Sequence, residues 1–212
     1  MGSGKSTQAR LFNEFLNDNN IKSIYTREIG GSYISEKIRD LIMNNTLAVN
    51  SELMMIMAAR YEHITRTIIP SLQDNVWVIC DRFIDSTAAY QTVNSNFSID
   101  DIYHFHDLLL KGIYDGPYKN KKSLLPDLTF YLNIKPSLGL KRVKIRGDIN
   151  KFDNYSEDYH YNIYNNFNII TAKFKDRIVK INIEEKQNIS DISLIIQNKI
   201  INHFSILKKL GK

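Results

Sequence analysis

The chain of 212 residues has the composition of a globular protein, with 43% hydrophobic and 24% charged residues. No apolar run reaches the length of a membrane span and no signal peptide is visible, so we expect a cytoplasmic protein without a membrane partner. The single cysteine, Cys80, cannot form an internal disulfide, which fits a reducing compartment. The net charge of +5 comes from dispersed lysines without a nucleic-acid-binding motif, so we expect no nucleic-acid partner.

The first predicted element is a loop that leads into a helix. Residues 1–8 read Met-Gly-Ser-Gly-Lys-Ser-Thr-Gln, and residues 4–6 end the phosphate-binding motif G-x-x-x-x-G-K-[ST]. Apolar residues recur at helical spacing over 9–16, which predicts a helix that opens at Lys5 with its N-terminus at the phosphate site. The first glycine of the motif, and the strand that normally feeds it, would precede residue 1. We therefore expect that this first strand is missing from the sequence.

The rest of the chain alternates predicted strands and helices. Apolar runs predict parallel strands at 23–26, 76–80, 128–134 and 178–181. Helices are predicted near 36–43, 51–72, 100–112, 137–146, 155–174 and 188–208. This alternation predicts one α/β domain over residues 1–212, with a parallel sheet flanked by helices. Ligands of such folds bind at the carboxyl ends of the strands.

Charged side chains follow two of the predicted strands, at the edge where ligands bind. Arg27 follows the first strand, and Asp81 and Arg82 follow the next. Phosphoryl transfer between nucleotides requires positioning and positive charge, which these arginines and Lys5 can supply. An aspartate at the end of a buried strand beside a phosphate loop is the usual partner of Mg²⁺. The alternative interpretation of Asp81 and Arg82 is a surface ion pair.

Six motifs occur in order along most of the chain, and together they are specific. They are residues 2–8 (Gly-Ser-Gly-Lys-Ser-Thr-Gln), 26–39 (beginning Thr-Arg-Glu-Ile-Gly-Gly-Ser), 58–63 (Ala-Ala-Arg-Tyr-Glu-His), 81–91 (Asp-Arg-Phe-Ile-Asp-Ser-Thr-Ala-Ala-Tyr-Gln), 126–132 (Pro-Asp-Leu-Thr-Phe-Tyr-Leu) and 140–146 (Leu-Lys-Arg-Val-Lys-Ile-Arg). In these motifs the chain resembles the thymidylate kinases, which are P-loop proteins of the nucleoside monophosphate kinase type. The resemblance implies phosphorylation of dTMP to dTDP by ATP and Mg²⁺ in dTTP synthesis, by direct in-line transfer, and it implies a homodimer.

The resemblance also implies a nucleotide and metal site. The ATP-binding residues that it implies are Gly2, Ser3, Gly4, Lys5, Ser6, Thr7 and Arg142, the last of them near the adenine. Ser6 and Asp81 are the implied metal residues, with Asp81 acting through water.

The acceptor site follows from the same resemblance. The residues that it implies for dTMP are Arg27, Ile56, Arg60, Arg82, Ser86, Tyr90 and Gln91. The three arginines would grip the phosphate, because a guanidinium can donate two parallel hydrogen bonds. Ser86, Tyr90 and Gln91 would line the thymidine pocket. Ile56 stands where the family usually has a phenylalanine stacked on thymine, and an isoleucine lacks the ring's quadrupole.

The catalytic residues implied by the resemblance are Lys5, Arg82 and a cation from a mobile lid near 146–155. Some family members carry an arginine in the phosphate loop, where this chain has Gly2, and others carry it in a lid pattern D-R-x-E. Lys151 takes the place of that lid arginine and is therefore the candidate cation, although a solvated lysine is the alternative. Two other functions stay open at this stage. One is a kinase for another nucleotide, and the other is a nucleotide-binding protein that no longer catalyses.

Overall fold

The computed structural model describes residues 2–113, 123–147 and 151–204. Its α-helices are α1 (Lys5–Asp18), α2 (Tyr33–Asn44), α3 (Val49–His63), α4 (Ile69–Gln73), α5 (Ile84–Tyr90), α6 (Ile99–Leu109), α7 (Pro136–Arg146), α8 (Glu157–Lys173) and α9 (Ile189–Phe204). Its strands are β1 (Ser23–Arg27), β2 (Trp77–Asp81), β3 (Thr129–Asn133) and β4 (Ile178–Asn182). A short 3-10 helix occupies Lys151–Asn154. No helix within these ranges is both long and apolar enough to cross a membrane.

Most predicted elements occur within a few residues of their predicted bounds, with two differences. Helix α5 was not predicted, since its seven residues are too short to show a helical repeat. The long predicted helix over 51–72 is divided, because a π-helical turn at Ile64–Ile68 separates α3 from α4. Pro70 lies in the first turn of α4, where its missing N–H interrupts the regular ladder of hydrogen bonds.

All strand pairing in the described part of the chain is parallel, as predicted. Strand β1 pairs with β2, and β3 pairs with β4. The pairs form two separate two-stranded sheets rather than one continuous sheet. The C-terminal ends of β1 and β2 meet at one edge, because Arg27 is the register partner of Asp81.

A cleft of about 600 Å³ borders both sheets. It is lined by β2 on one side and by residues 128–132 on the other, and Ser3 and Asp81 also border it. Within the described ranges, β2 and β3 have no strand partner on the edges away from β1 and β4. The strand expected ahead of the phosphate loop would precede residue 1 and stays a prediction.

Two apolar clusters hold the helices against the sheets. The larger one surrounds α5 and includes the fully buried Ile84, Ile102 and Ile170. The smaller one joins α1 to β3, β4 and α9 through Phe12 and Leu16 among others. Because α1 packs against this second cluster, its first turn is fixed beside the end of β2, where the charged residues gather.

Candidate active site

The loop at residues 2–4 places the N-terminus of α1 at the edge where β2 ends. Gly4 caps the helix with a φ of 82°, a left-handed conformation that glycine adopts without a steric penalty. Gly2 also has a positive φ, and a Cβ atom built on it would overlap the backbone carbonyl of Gly139 in α7. A side chain at position 2 would therefore require α7 to move. The unpaired N–H groups of the first helical turn remain as a site for anions.

A serine and an aspartate meet beside this loop. The Ser6 hydroxyl donates a hydrogen bond to Oδ2 of Asp81 at the end of β2. The other carboxylate oxygen, Oδ1, is buried and has no hydrogen-bond partner in the described part of the protein. A hydroxyl and a carboxylate oxygen are ligands that Mg²⁺ accepts, so these two residues fit the predicted metal site. The described ranges contain no cluster of three or more His, Cys, Asp or Glu residues that could hold a metal, so phosphate oxygens would have to supply further ligands.

Lys5 lies in a strongly positive environment. Its pKa is lowered to about 8, first by the charge of Arg82 and then by burial of the ammonium, while the Asp81 charge raises it. Arg146 at the end of α7 lowers it further. Three cations therefore share one region, and their mutual repulsion would be relieved by a polyanion such as a nucleotide phosphate.

Arg82 is held in a defined position next to Lys5. Its backbone φ is 71°, which is uncommon for a residue with a side chain and is found more often at functional sites. Its guanidinium donates to the Tyr90 hydroxyl at 3.3 Å and lies 5.0 Å from the centre of that ring. Ser86, Tyr90 and Arg82 line the same cleft as Lys5 and Asp81. The structure thus brings these five predicted residues together.

A second group of arginines lies at the loop after β1. Arg27 forms an ion pair with Glu36 at 2.9 Å, and Arg39 donates to the Ile29 carbonyl at 3.1 Å. Burial, and then the charge of Arg27, lowers the pKa of Arg39, and the Arg82 charge contributes to the same shift. Arg39 was not among the predicted site residues. Its position at the end of the motif over 26–39 could have indicated that Arg39 belongs to the site.

Arg60 has different partners from those predicted. Its side chain is almost fully buried, with Nη2 2.7 Å from Glu28 and 2.7 Å from the Thr87 hydroxyl. His63 Nδ1 contacts the other Glu28 oxygen at 3.1 Å, and its Nε2 contacts Thr26 at 2.7 Å. The structure therefore places Arg60 in a buried polar network between α3 and α5. The predicted contact of Arg60 with the dTMP phosphate stays a prediction.

Lys151 contacts residues of α2 and α3, and its predicted role as the catalytic cation stays a prediction. Its ammonium donates to the Ile42 carbonyl at 2.5 Å and to Oε2 of Glu52 at 2.7 Å, near the end of α2 and the start of α3. The charge of Arg146 contributes to the lowered pKa of Lys5. The sequence-based choice of Lys151 followed a linear pattern, which cannot show that the ammonium turns towards α2. Residues 148–150 of the predicted lid lie outside the described residues.

The remaining predicted residues are Arg142, near the segment after β4, and Gln91 and Ile56, near α3. Arg142 donates to the Glu184 carbonyl at 3.1 Å, in the segment after β4. Ile56 is buried on α3 and Gln91 directly after α5, and the Gln91 amide donates to Glu52 at 2.8 Å. The predicted contacts of Arg142 with adenine, and of Gln91 and Ile56 with thymine, stay predictions.

A phosphate loop at a helix N-terminus, with a serine–aspartate pair and a group of arginines nearby, defines a P-loop nucleotide kinase.

Comparison with known proteins agrees with this class. The thymidylate kinase family model matches residues 2–192. A thymidylate kinase of Orientia tsutsugamushi is 42% identical over 97% of this chain and 91% of its own length, and that of Rickettsia typhi is 42% identical over 84% and 82%. The crystal structure of thymidylate kinase from Ehrlichia chaffeensis superposes with a TM-score of 0.70 at 29% identity, covering 94% of this chain and 93% of the other. The chain belongs to the thymidylate kinase family, and it is an enzyme of the nucleoside monophosphate kinase class.

The electrostatic effect of Arg82 on Lys5 leads to a prediction for the nucleotide-free protein. The Lys5 amine should titrate near pH 8, and Arg82→Gln should raise its pKa, because Arg82 is the largest cause of the depression. Competitive acylation of the lysines across the alkaline range, quantified by mass spectrometry, measures this titration. Arg142→Gln removes the same charge elsewhere and should leave the Lys5 titration unchanged. Identical profiles for wild type and Arg82→Gln would contradict the assignment.

Proposed function

We propose that this enzyme transfers the γ-phosphoryl group of ATP to dTMP and forms dTDP, which feeds dTTP synthesis in the cytoplasm. The observation that carries the proposal is the meeting of Ser6, in the first turn of α1, with Asp81 at the end of β2, next to the cations Lys5 and Arg82. Positive charge in this position stabilises the charge that develops on the transferring group. The proposal takes dTMP as acceptor from the family to which the chain belongs.

The donor side would use the loop and the first turn of α1. The N–H groups from Gly2 to Thr7 would bind the phosphate oxygens, and Lys5 would reach the β- and γ-phosphates. Ser6 and Asp81 would hold Mg²⁺, which when bound neutralises charge on the β- and γ-phosphate oxygens. These groups orient the γ-phosphoryl group for in-line attack, so no covalent enzyme intermediate is needed.

The acceptor side would use the arginines that face the loop. Arg82, next to Lys5, would bind the dTMP phosphate on the side of the transferring group, and Arg27 and Arg39 would bind it from the loop after β1. Each guanidinium is planar and can donate two parallel hydrogen bonds to a phosphate. Arg60 would act indirectly, because its contacts with Glu28 and Thr87 fix the relative position of α3 and α5.

A substrate panel tests this proposal. With ATP and Mg²⁺, we expect dTMP-dependent release of ADP, with dTMP preferred over dUMP, dCMP, AMP and GMP. The measurement is a coupled ADP-release assay on the full chain. A preference for a purine acceptor would favour a kinase for another nucleotide. ATP binding without dTMP-dependent release of ADP would favour the nucleotide-binding protein that no longer catalyses.

We further propose that Arg146, rather than Lys151, supplies the cation from the lid. Arg146→Met should lower kcat about a hundredfold, as expected for removing one charge from the transferring group. Lys151→Met is the matched control and should lower kcat far less, because its ammonium contacts Glu52 and the Ile42 carbonyl. Steady-state kinetics at saturating ATP and dTMP measure both variants. A larger loss for Lys151→Met would restore the prediction made from the sequence.

We also propose that the enzyme is a homodimer. An apolar stripe on α3 supports this, since Met54, Ala58 and Tyr61 recur at helical spacing and are exposed. Ala58→Arg should convert the dimer into a monomer in size-exclusion chromatography with light scattering, because a buried unpaired charge opposes association. Ile145→Arg, on the exposed face of α7, is the control and should remain dimeric. A wild-type chain that is already monomeric would contradict the proposal.

A further inference from the structure

Phe152, in the 3-10 helix at Lys151–Asn154, is an aromatic side chain that none of the steps above uses. Its ring meets the ring of Tyr90 edge to face, with centroids 6.0 Å apart and planes at 89°. Tyr90 belongs to the larger apolar cluster and is 8% exposed, and Phe152 packs against that cluster. Rings in this geometry attract each other beyond the apolar area that they bury, because a ring edge is positive and a ring face is negative. The contact therefore joins the 3-10 helix to the last residue of α5.

The Tyr90 ring is contacted from α8 as well, by Phe167. These two rings also meet edge to face, with centroids 6.3 Å apart and planes at 82°. Phe167 in turn stacks on Tyr131 of β3, with centroids 4.9 Å apart and planes at 15°. Phe167 is thus supported by a strand, whereas Phe152 lies on a short helical turn. Of these two rings on Tyr90, Phe152 is the one whose position depends on the segment between α7 and α8.

Tyr90 connects this aromatic contact to the cation beside the phosphate loop. Its hydroxyl accepts a hydrogen bond from Arg82 at 3.3 Å, and the Arg82 guanidinium lies 5.0 Å from the centre of its ring. A guanidinium is attracted by the negative face of an aromatic ring, so its preferred position follows the ring. A displaced Tyr90 ring would therefore release Arg82 from both contacts.

We infer that Phe152 is a positioning residue for phosphoryl transfer, which holds the Tyr90 ring against Arg82 and thereby keeps the Arg82 guanidinium beside Lys5. The consecutive contacts Phe152–Tyr90 and Tyr90–Arg82 carry this inference. For its effect on the reaction it rests on the proposed function, in which Arg82 binds the phosphate of the acceptor. Its first test needs no nucleotide, because Lys5 responds to the position of Arg82.

The pKa of Lys5 shows whether Arg82 stays in place. It is lowered to about 8, and the Arg82 charge is the largest cause, followed by burial. The other charged groups that act on Lys5 are Asp81 of β2, Arg146 of α7 and Asp153 of the 3-10 helix. If Phe152→Ala lets Arg82 move away, the Lys5 pKa rises. If the substitution only loosens the 3-10 helix, the negative charge of Asp153 moves away and the Lys5 pKa falls. The two results therefore differ in sign.

Competitive acylation of Phe152→Ala without nucleotide, quantified by mass spectrometry, measures this titration. We expect the midpoint of Lys5 to rise by about half a pH unit, in the same direction as in Arg82→Gln. Phe152→Leu fills part of the same space and should give a smaller rise, and it replaces Phe152→Ala if that variant does not fold. In the Arg82→Gln background, Phe152→Ala should cause no further rise, because the charge that it displaces is already absent.

Phe97→Ala is the matched control for the loss of a ring. Phe97 packs against the same apolar cluster and meets Phe105 edge to face, with centroids 5.2 Å apart. Phe97→Ala should lower the thermal midpoint of unfolding about as much as Phe152→Ala and leave the Lys5 titration unchanged. In steady-state kinetics, Phe152→Ala should raise KM for dTMP about tenfold, because Arg82 no longer faces the phosphate, and Phe97→Ala should not.

The outcomes separate this inference from the proposed function. A Lys5 pKa that is unchanged or lower in Phe152→Ala overturns the inference, and so does an equal rise in Phe97→Ala. In either case dTMP-dependent release of ADP by the wild type would still support the proposed function. If the Lys5 pKa rises as expected but the wild type releases no ADP with dTMP, Phe152 positions Arg82 and the proposed function fails.

Discussion

The hydrogen bond from Ser6 to Asp81 is the contact on which the site depends. It joins the first turn of α1 to the last residue of β2, and β1 ends beside it because Arg27 is in register with Asp81. The phosphate loop, the carboxylate and the first arginines therefore occupy one edge of the fold. Packing of α1 through Phe12 and Leu16 keeps the helix in this position. Phosphoryl transfer requires such fixed positions more than reactive groups.

Charged side chains form two groups in this protein, one at the phosphate loop around Lys5 and one around α3. Around Lys5 and Arg82 the positive charge of Arg82 lowers the pKa of Lys5. Around α3 two charged pairs are largely removed from solvent, since Arg60 pairs with Glu28 and Lys151 pairs with Glu52. The unbalanced region is suited to bind phosphates. The balanced region holds two helices at a fixed separation.

The sequence predicted the fold class and most elements because these elements are long enough to show a regular spacing of apolar residues. It did not predict α5, which is short, or the separation of the strands into two sheets, since a strand's pattern does not name its partner. It correctly grouped Lys5, Asp81 and Arg82, which are close to loop and strand ends. It assigned Arg60 and Lys151 to phosphate, and in the structure each has a carboxylate partner, so both assignments stay predictions.

Taken alone, the sequence determined the family, the phosphate loop and the strand-end charges, because these are local motifs whose residue types and spacing carry their own chemistry. Only the tertiary structure decided which cation acts on Lys5 and which acid holds Gln91. Those contacts join residues that are far apart in the chain. A long side chain such as Lys151 could reach towards a bound phosphate or towards the carboxylate of Glu52. Its direction is set by the nearest buried carboxylate, which is a property of helix packing that linear spacing does not contain.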